Sequence, residues 1–118
     1  MPSILVVDDE QSICWGLTRL GKSLGHNVMA ASSAEQALTC AIEQRPDVVV
    51  LDVRLPGMDG LTAIERFQSQ CGSVPIIVIT AYGDLQTAVD AVRRGAFDYI
   101  AKPFDVEKVK SALVRALA

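Results

Sequence analysis

These 118 residues predict an α/β fold, an open sheet of five parallel strands covered by helices on both faces. Two observations point there. Five short runs rich in β-branched residues alternate with five longer stretches whose apolar residues recur every three to four positions. The runs themselves, such as "VVVL" and "IIVI", are apolar nearly throughout, as strands buried on both faces can be. Closing such units into a barrel would take about eight of them. Right-handed crossovers then leave a doubly wound sheet as the most economical arrangement.

Taken in order, the first strand is "SILVVDD" from Ser3, followed by a helix carrying Ile13, Leu17, Leu20 and Leu24 and stopped by Gly25. "NVMAA" from Asn27 is the second strand. Ser33, with Gln36 three residues on, has the spacing of a capping box and opens a helix bearing Ala34, Ala37, Leu38, Ala41 and Ile42. Pro46 precedes the third strand, "DVVVLD". The next helix carries Leu61, Ile64 and Phe67 and meets Gly72. Pro75 opens the fourth strand, in the run "VPIIVIT". Asp84 is the candidate cap of a helix with Leu85, Ala88, Val89 and Val92, ended near Gly95. "FDYIAK" is the fifth strand, and Asp105 caps a last helix with Val106, Val109, Leu113 and Leu117. No repeat, linker or low-complexity stretch interrupts the series, so residues 1–118 read as one domain.

Composition removes several classes of function. Half the residues are hydrophobic and the net charge is −3, which gives no electrostatic reason for direct binding to nucleic acid or an anionic membrane. No apolar run approaches the ~20 residues of a membrane span, and the acidic start "MPSILVVDDE" is unlike a signal peptide, so a cytoplasmic location is expected. Cys14, Cys40 and Cys71 are odd in number and widely spaced, which argues for reduced thiols over disulfides or zinc. His26 has no His or Cys at ligand spacing. Trp15 falls off the apolar stripe of its helix and should be partly exposed, either at a dimer contact or lying over its own helix.

Chemistry follows from where open α/β sheets work, in the crevice outside the carboxyl ends of their strands. The first strand delivers Asp8 and Asp9 there, with Glu10 close behind. The third delivers Asp52, the fourth Thr80 and the fifth Lys102. The second ends at Ala30 and Ala31, as an edge strand can. Each residue alone has an ordinary use: Asp as cap or turn former, Thr in a strand, Lys as a solvated charge. Together, three carboxylates in one crevice repel unless a cation neutralises them, and Mg²⁺, which prefers oxygen ligands and phosphate, is the economical one. A carboxylate beside such a cation can attack a phosphoryl group. Thr80 would then serve as hydroxyl donor and Lys102 as point charge, with the small Ala81 leaving the approach open.

The motifs "VVDDE", "LDVRLPGMDG", "ITAYGD" and "FDYIAKPF", in this order and spanning the chain, resemble the receiver domain of two-component response regulators. "RLPGMDGL" and "GAFDYIAKPFD" are most similar to receivers of the nitrogen-regulation, NtrC-like class. The resemblance implies the flavodoxin-like strand order 2-1-3-4-5. It makes Asp52 the phosphoacceptor for a histidine kinase or a small phosphodonor. Asp9, Asp52 and the backbone carbonyl of Arg54 would bind Mg²⁺ (or Mn²⁺), with Asp8 reaching it through water. Thr80 and Tyr99 would form a switch pair, Lys102 would bridge to the phosphoryl group, and Lys102–Pro103 would be cis. Arg54 and Tyr82, both bulky, would flank the path of hydrolytic water and slow dephosphorylation. The resemblance further implies σ54-type ATPase and DNA-binding output domains outside these residues, and a homodimer on phosphorylation. The output face would be the helix from Asp84 to Arg94, the strand near Tyr99 and the final helix. There Arg93, Arg94, Lys108 and Lys110 read first as solvated charges.

Two rival classes fit less well. A haloacid-dehalogenase-type phosphatase wants a second Asp two residues after its nucleophile, where this chain has Arg54. A flavodoxin-like cofactor site wants a hydroxyl- and glycine-rich first loop, whereas "DDEQS" would repel a phosphate without a metal, and no GxGxxG or GxxxxGK[ST] follows the first strand.

Overall fold

In the computed structural model, which describes residues 2–55, 57–81 and 85–118, strands and helices alternate throughout. The order is β1 (Ser3–Val7), α1 (Gln11–Ser23), β2 (Asn27–Ala31), α2 (Ala34–Glu43), β3 (Val48–Asp52), α3 (Gly60–Cys71), β4 (Ile76–Ala81), α4 (Leu85–Arg93), β5 (Asp98–Lys102) and α5 (Val106–Ala116). All strand pairings are parallel and the sheet order is β2-β1-β3-β4-β5. The expected fold class and strand order are both met, with β2 at an edge.

The apolar strands are explained by two cores. Leu5, Val7, Val49, Leu51, Ile76 and Val78 face one layer, where they pack with Ala37, Leu38, Ile64 and Phe67 of α2 and α3. Ile4, Val6, Val48, Val50, Ile77 and Ile79 face the other, with Leu17 of α1 and Val109 and Leu113 of α5. Successive side chains of a strand point to opposite faces, so a central strand sandwiched between two helical layers has no polar side to show. Burying Val48, Val49, Val50 and Leu51 at once drives the sheet together and leaves the chain to emerge at Asp52.

Local chemistry sets the element ends. Ser33 Oγ accepts from the Gln36 amide, as the capping spacing predicts, but the Gln36 side chain returns its bond to Ser32 rather than to Ser33. Asp105 caps α5 by accepting from the Glu107 amide. Asp84, the expected cap of α4, lies outside the described residues, as does Tyr82. Gly25, Gly72 and Gly95 all adopt positive φ, as helix-terminating glycines do. Four residues that share the helical period, Ile42, Leu85, Val92 and Val106, are exposed instead of buried. Period alone places a residue near a stripe, and scattered exposed apolar side chains are ordinary on a protein surface. Trp15 is 64% exposed, as expected, with the Arg19 guanidinium one turn along the same helix 4.8 Å from its ring centroid.

At the head of α3 the backbone leaves no room for a side chain. A Cβ on Gly60 would lie 2.3 Å from Val53 Cα and 3.0 Å from the Asp52 carbonyl oxygen. The Gly60 amide donates to the Val53 carbonyl, and Asp59 caps the helix through the Thr62 amide and hydroxyl. The segment after Asp52 is thereby folded tightly back onto the end of β3.

Candidate functional site

The carboxyl ends of β1, β3, β4 and β5 meet at one edge of the sheet. Asp52 is the last residue of β3, and Val53 beyond it still donates to the Ile79 carbonyl of β4. Thr80 follows Ile79, is buried, and pairs in register with Ala101, one residue before Lys102. Asp8 comes directly after β1, where its amide donates to the Ala31 carbonyl. These strand ends are held by the sheet ladder, so their side chains start from fixed points.

Lys102 ties them together. Its Nζ lies 3.0 Å from Asp8 Oδ2, 3.1 Å from Asp52 Oδ2 and 3.1 Å from Glu10 Oε1. Oxygens of Asp8, Glu10 and Asp52 all fall within 4.8 Å of one another. The Asp8 and Asp52 side chains are almost fully buried, Lys102 is 18% exposed and Glu10 56%. Asp8 Oδ1 accepts from the Glu10 amide and Asp52 Oδ1 from the Arg54 amide, each carboxylate closing a turn two residues ahead. Lys102–Pro103 is cis.

Electrostatics reflect the crowding. Burial raises the pKa of Asp8 above the ordinary carboxylate value, and the nearby Asp52 adds to it, against the lowering effects of the Glu10 amide and Lys102. Burial acts to lower the pKa of Lys102, but its close contacts with the Asp8, Asp52 and Glu10 carboxylates outweigh this and hold it well above the ordinary lysine value. The ammonium is therefore a fixed positive charge. Three carboxylates against one ammonium still leave an excess of negative charge, and no donor is aligned on the buried Asp8 Oδ2 despite the short contact with Lys102. Hard oxygen donors, surplus negative charge and a buried lone pair without a donor fit a divalent cation.

The expected residues are thus brought together unevenly. Asp8, Asp52 and Lys102 are in direct contact, and Thr80 lies at the adjoining strand end. Asp9 is exposed and stands outside the group of carboxylates, because the turn closed by Asp8 Oδ1 carries the chain outward at that point. Glu10, to which the sequence reading assigned no role, takes the third place. Its signal was present in the acidic triplet, but its partner lies 92 residues away. Tyr99 is 42% exposed on β5, with its ring at the sheet edge. The Arg54 side chain is exposed beside Asp52.

This fold is that of a known class of signalling domain. The chain belongs to the response regulator receiver domain family, which it matches over residues 4–114. Within that class its relatives are regulators of the NtrC type. It is 41% identical over 115 residues to the transcriptional regulatory protein ZraR of Escherichia coli (strain K12), covering 98% of this chain and 26% of that protein. It is 36% identical over 115 residues to the DNA-binding transcriptional regulator NtrC of Salmonella typhimurium, covering 98% and 24%. The receiver domain of NtrX from Brucella abortus superposes with a TM-score of 0.92 at 37% identity over 97% of each chain. The chain spans about a quarter of the length of the curated relatives it matches.

Proposed function

We propose that Asp52 is the phosphoacceptor of this receiver and that a histidine kinase is its phosphodonor. The observation that carries the reading is the Asp52 carboxylate at the end of β3, held 3.1 Å from the Lys102 ammonium. An Asp52 oxygen attacks phosphorus and forms the O–P bond of an aspartyl phosphate. The N–P bond of the donor phosphohistidine breaks, and its electron pair returns to the imidazole. Thr80 donates its hydroxyl to a phosphoryl oxygen, and Lys102 follows the new negative charge from the carboxylates to the phosphoryl group. Asp9, Asp52 and the Arg54 carbonyl would hold Mg²⁺ (or Mn²⁺), with Asp8 as a more distant partner, and Asp9, exposed in this structure, would turn inward to do so. That cation, when bound, supplies positive charge against the phosphoryl oxygens.

The consequence is a signal rather than a turnover. Thr80 moves toward the phosphoryl group and the Tyr99 ring turns inward, changing the face formed by α4, β5 and α5. The domain serves its own phosphorylation and dephosphorylation without acting on other phosphoesters. By the family resemblance, Arg54 and Tyr82 would flank the path of hydrolytic water. The NtrC-type relatives are about four times as long, which supports an output part; by the family resemblance that part is an ATPase of the σ54 type with a DNA-binding domain, and the protein dimerises on phosphorylation. Among the described residues no helix is long and apolar enough to cross a membrane, and we place the domain in the cytoplasm with no direct nucleic-acid contact.

The test is to treat the phosphorylated protein with borohydride, which reduces an acyl phosphate to the alcohol. Homoserine found at position 52 by peptide mass supports the assignment, and homoserine at Asp8 or Asp9 instead would sink it.

A further inference from the structure

Glu10 stands at the N-cap of α1 yet makes no side-chain cap bond. Its carboxylate turns away from the helix to Lys102 Nζ. The ammonium thus sits among three anionic oxygens at 3.0–3.1 Å, two on nearly sealed side chains and one on a side chain open to water. If the site works as proposed above, the inner oxygens have a second claimant. A divalent cation and the Lys102 ammonium cannot share Asp52 and the surroundings of Asp8 at these distances without strong repulsion.

We infer that Glu10 is the seat to which Lys102 withdraws when the cation arrives. Lys102 gives up Asp8 and Asp52, keeps Glu10, and waits at the rim of the site until phosphoryl oxygens form within its reach. The exposure gradient sets the order of release. Asp8 and Asp52 are fixed at strand ends inside the crevice, whereas Glu10 lies at its open rim, its carboxylate on two methylene groups that can follow the ammonium outward. An exposed ion pair holds weakly, which suits a waiting position, because the ammonium must leave it again for a more highly charged phosphoryl group. Glu10 is therefore a positioning residue that acts through Lys102, and the inference rests on the cation reading of the site.

The experiment is reductive methylation with formaldehyde and cyanoborohydride, read at each lysine by peptide mass, on the wild type and Glu10→Gln with and without Mg²⁺. Lys22, Lys108 and Lys110 are exposed and serve as internal references. Without metal, Lys102 labels roughly tenfold more slowly than the references in both proteins, since Asp8 and Asp52 hold it in each. With saturating Mg²⁺, Lys102 of the wild type gains about two- to threefold, while in Glu10→Gln it approaches the reference lysines. An equal Mg²⁺ response in the two proteins overturns the inference. Mg²⁺ affinity from a direct titration should agree within about threefold, and a loss of about tenfold or more in Glu10→Gln would instead make Glu10 a metal ligand and overturn it too. Absence of Mg²⁺ binding to either protein defeats the cation reading itself, a result that the titration separates from the other two.

Discussion

Lys102 Nζ, at the end of β5, lies 3.1 Å from Asp52 Oδ2, at the end of β3, across 50 residues of sequence and past the end of the intervening β4. This one pair joins the residue that would accept a phosphoryl group to the cation that would stabilise it. It also places the ammonium where a bound metal ion would have to compete.

Removing that ammonium should therefore have opposite effects on stability and on metal binding. Lys102→Ala leaves Asp8, Asp52 and Glu10 facing one another and should lower the stability of the metal-free protein by about 3 kcal/mol. The same variant should bind Mg²⁺ several-fold more tightly, because its competitor is gone. Urea unfolding with and without Mg²⁺ reads both, and weaker Mg²⁺ binding in the variant would contradict the competition.

Two carboxylates should respond to pH with opposite sign. The pKa of Asp8 is raised by burial, so its ionisation opposes folding. Its cost is absent below pH 3.8, the unfolded value, and grows as pH rises toward the folded value. Asp8→Asn should then raise the melting temperature of the metal-free protein by a few degrees at neutral pH, and this advantage should vanish in acid and in excess Mg²⁺. The Asp59 pKa is lowered, chiefly by the Thr62 amide that it caps. Its contribution is complete above pH 3.8 and is lost as pH falls through the lower folded value. Asp59→Ala should cost roughly 1 kcal/mol at neutral pH and nothing at strongly acid pH. Melting curves across the acid range test both signs.

Gly60→Ala forces a methyl group against the backbone of Val53 and the Asp52 carbonyl. We expect a loss of roughly 3 kcal/mol in chemical denaturation, with slower phosphorylation in the fraction that folds, since the contact displaces the end of β3. A neutral effect would mean that the segment after Asp52 is not held as tightly as the geometry requires.

We expect Arg54 and Tyr82 to bear on the lifetime of the phosphoryl group. Substituting alanine at both positions should shorten it by at least roughly threefold by admitting water. Decay followed by intact mass after removal of the donor checks this, and an unchanged lifetime contradicts it.

Much of this architecture was legible in the sequence. Val48 to Leu51 read as a strand buried on both faces because no polar residue interrupts them, and the two cores show why none can. Asp52, Asp8, Thr80 and Lys102 could be gathered because all lie at carboxyl ends of strands, a position that a parallel sheet brings to one edge. What the sequence hid was register at the level of single side chains. Asp9 and Glu10 are adjacent acids, and only the turn closed by Asp8 decides that Glu10 faces Lys102 while Asp9 faces solvent. Gly60 closes the motif LDVRLPGMDG, and its requirement comes from Val53, seven residues earlier, through a contact that no local pattern encodes. Ile42 and Val106 share the helical period of their buried neighbours but fall at its margin, where period does not separate core from surface.

The most direct test of the central claim is intact mass after incubation with acetyl phosphate, with and without Mg²⁺, beside an Asp52→Ala control. A single phosphoryl adduct that requires both Mg²⁺ and Asp52 is the predicted result. An adduct that survives in Asp52→Ala, or forms equally well without Mg²⁺, would contradict the assignment of Asp52 and its acidic neighbours as the phosphorylation site.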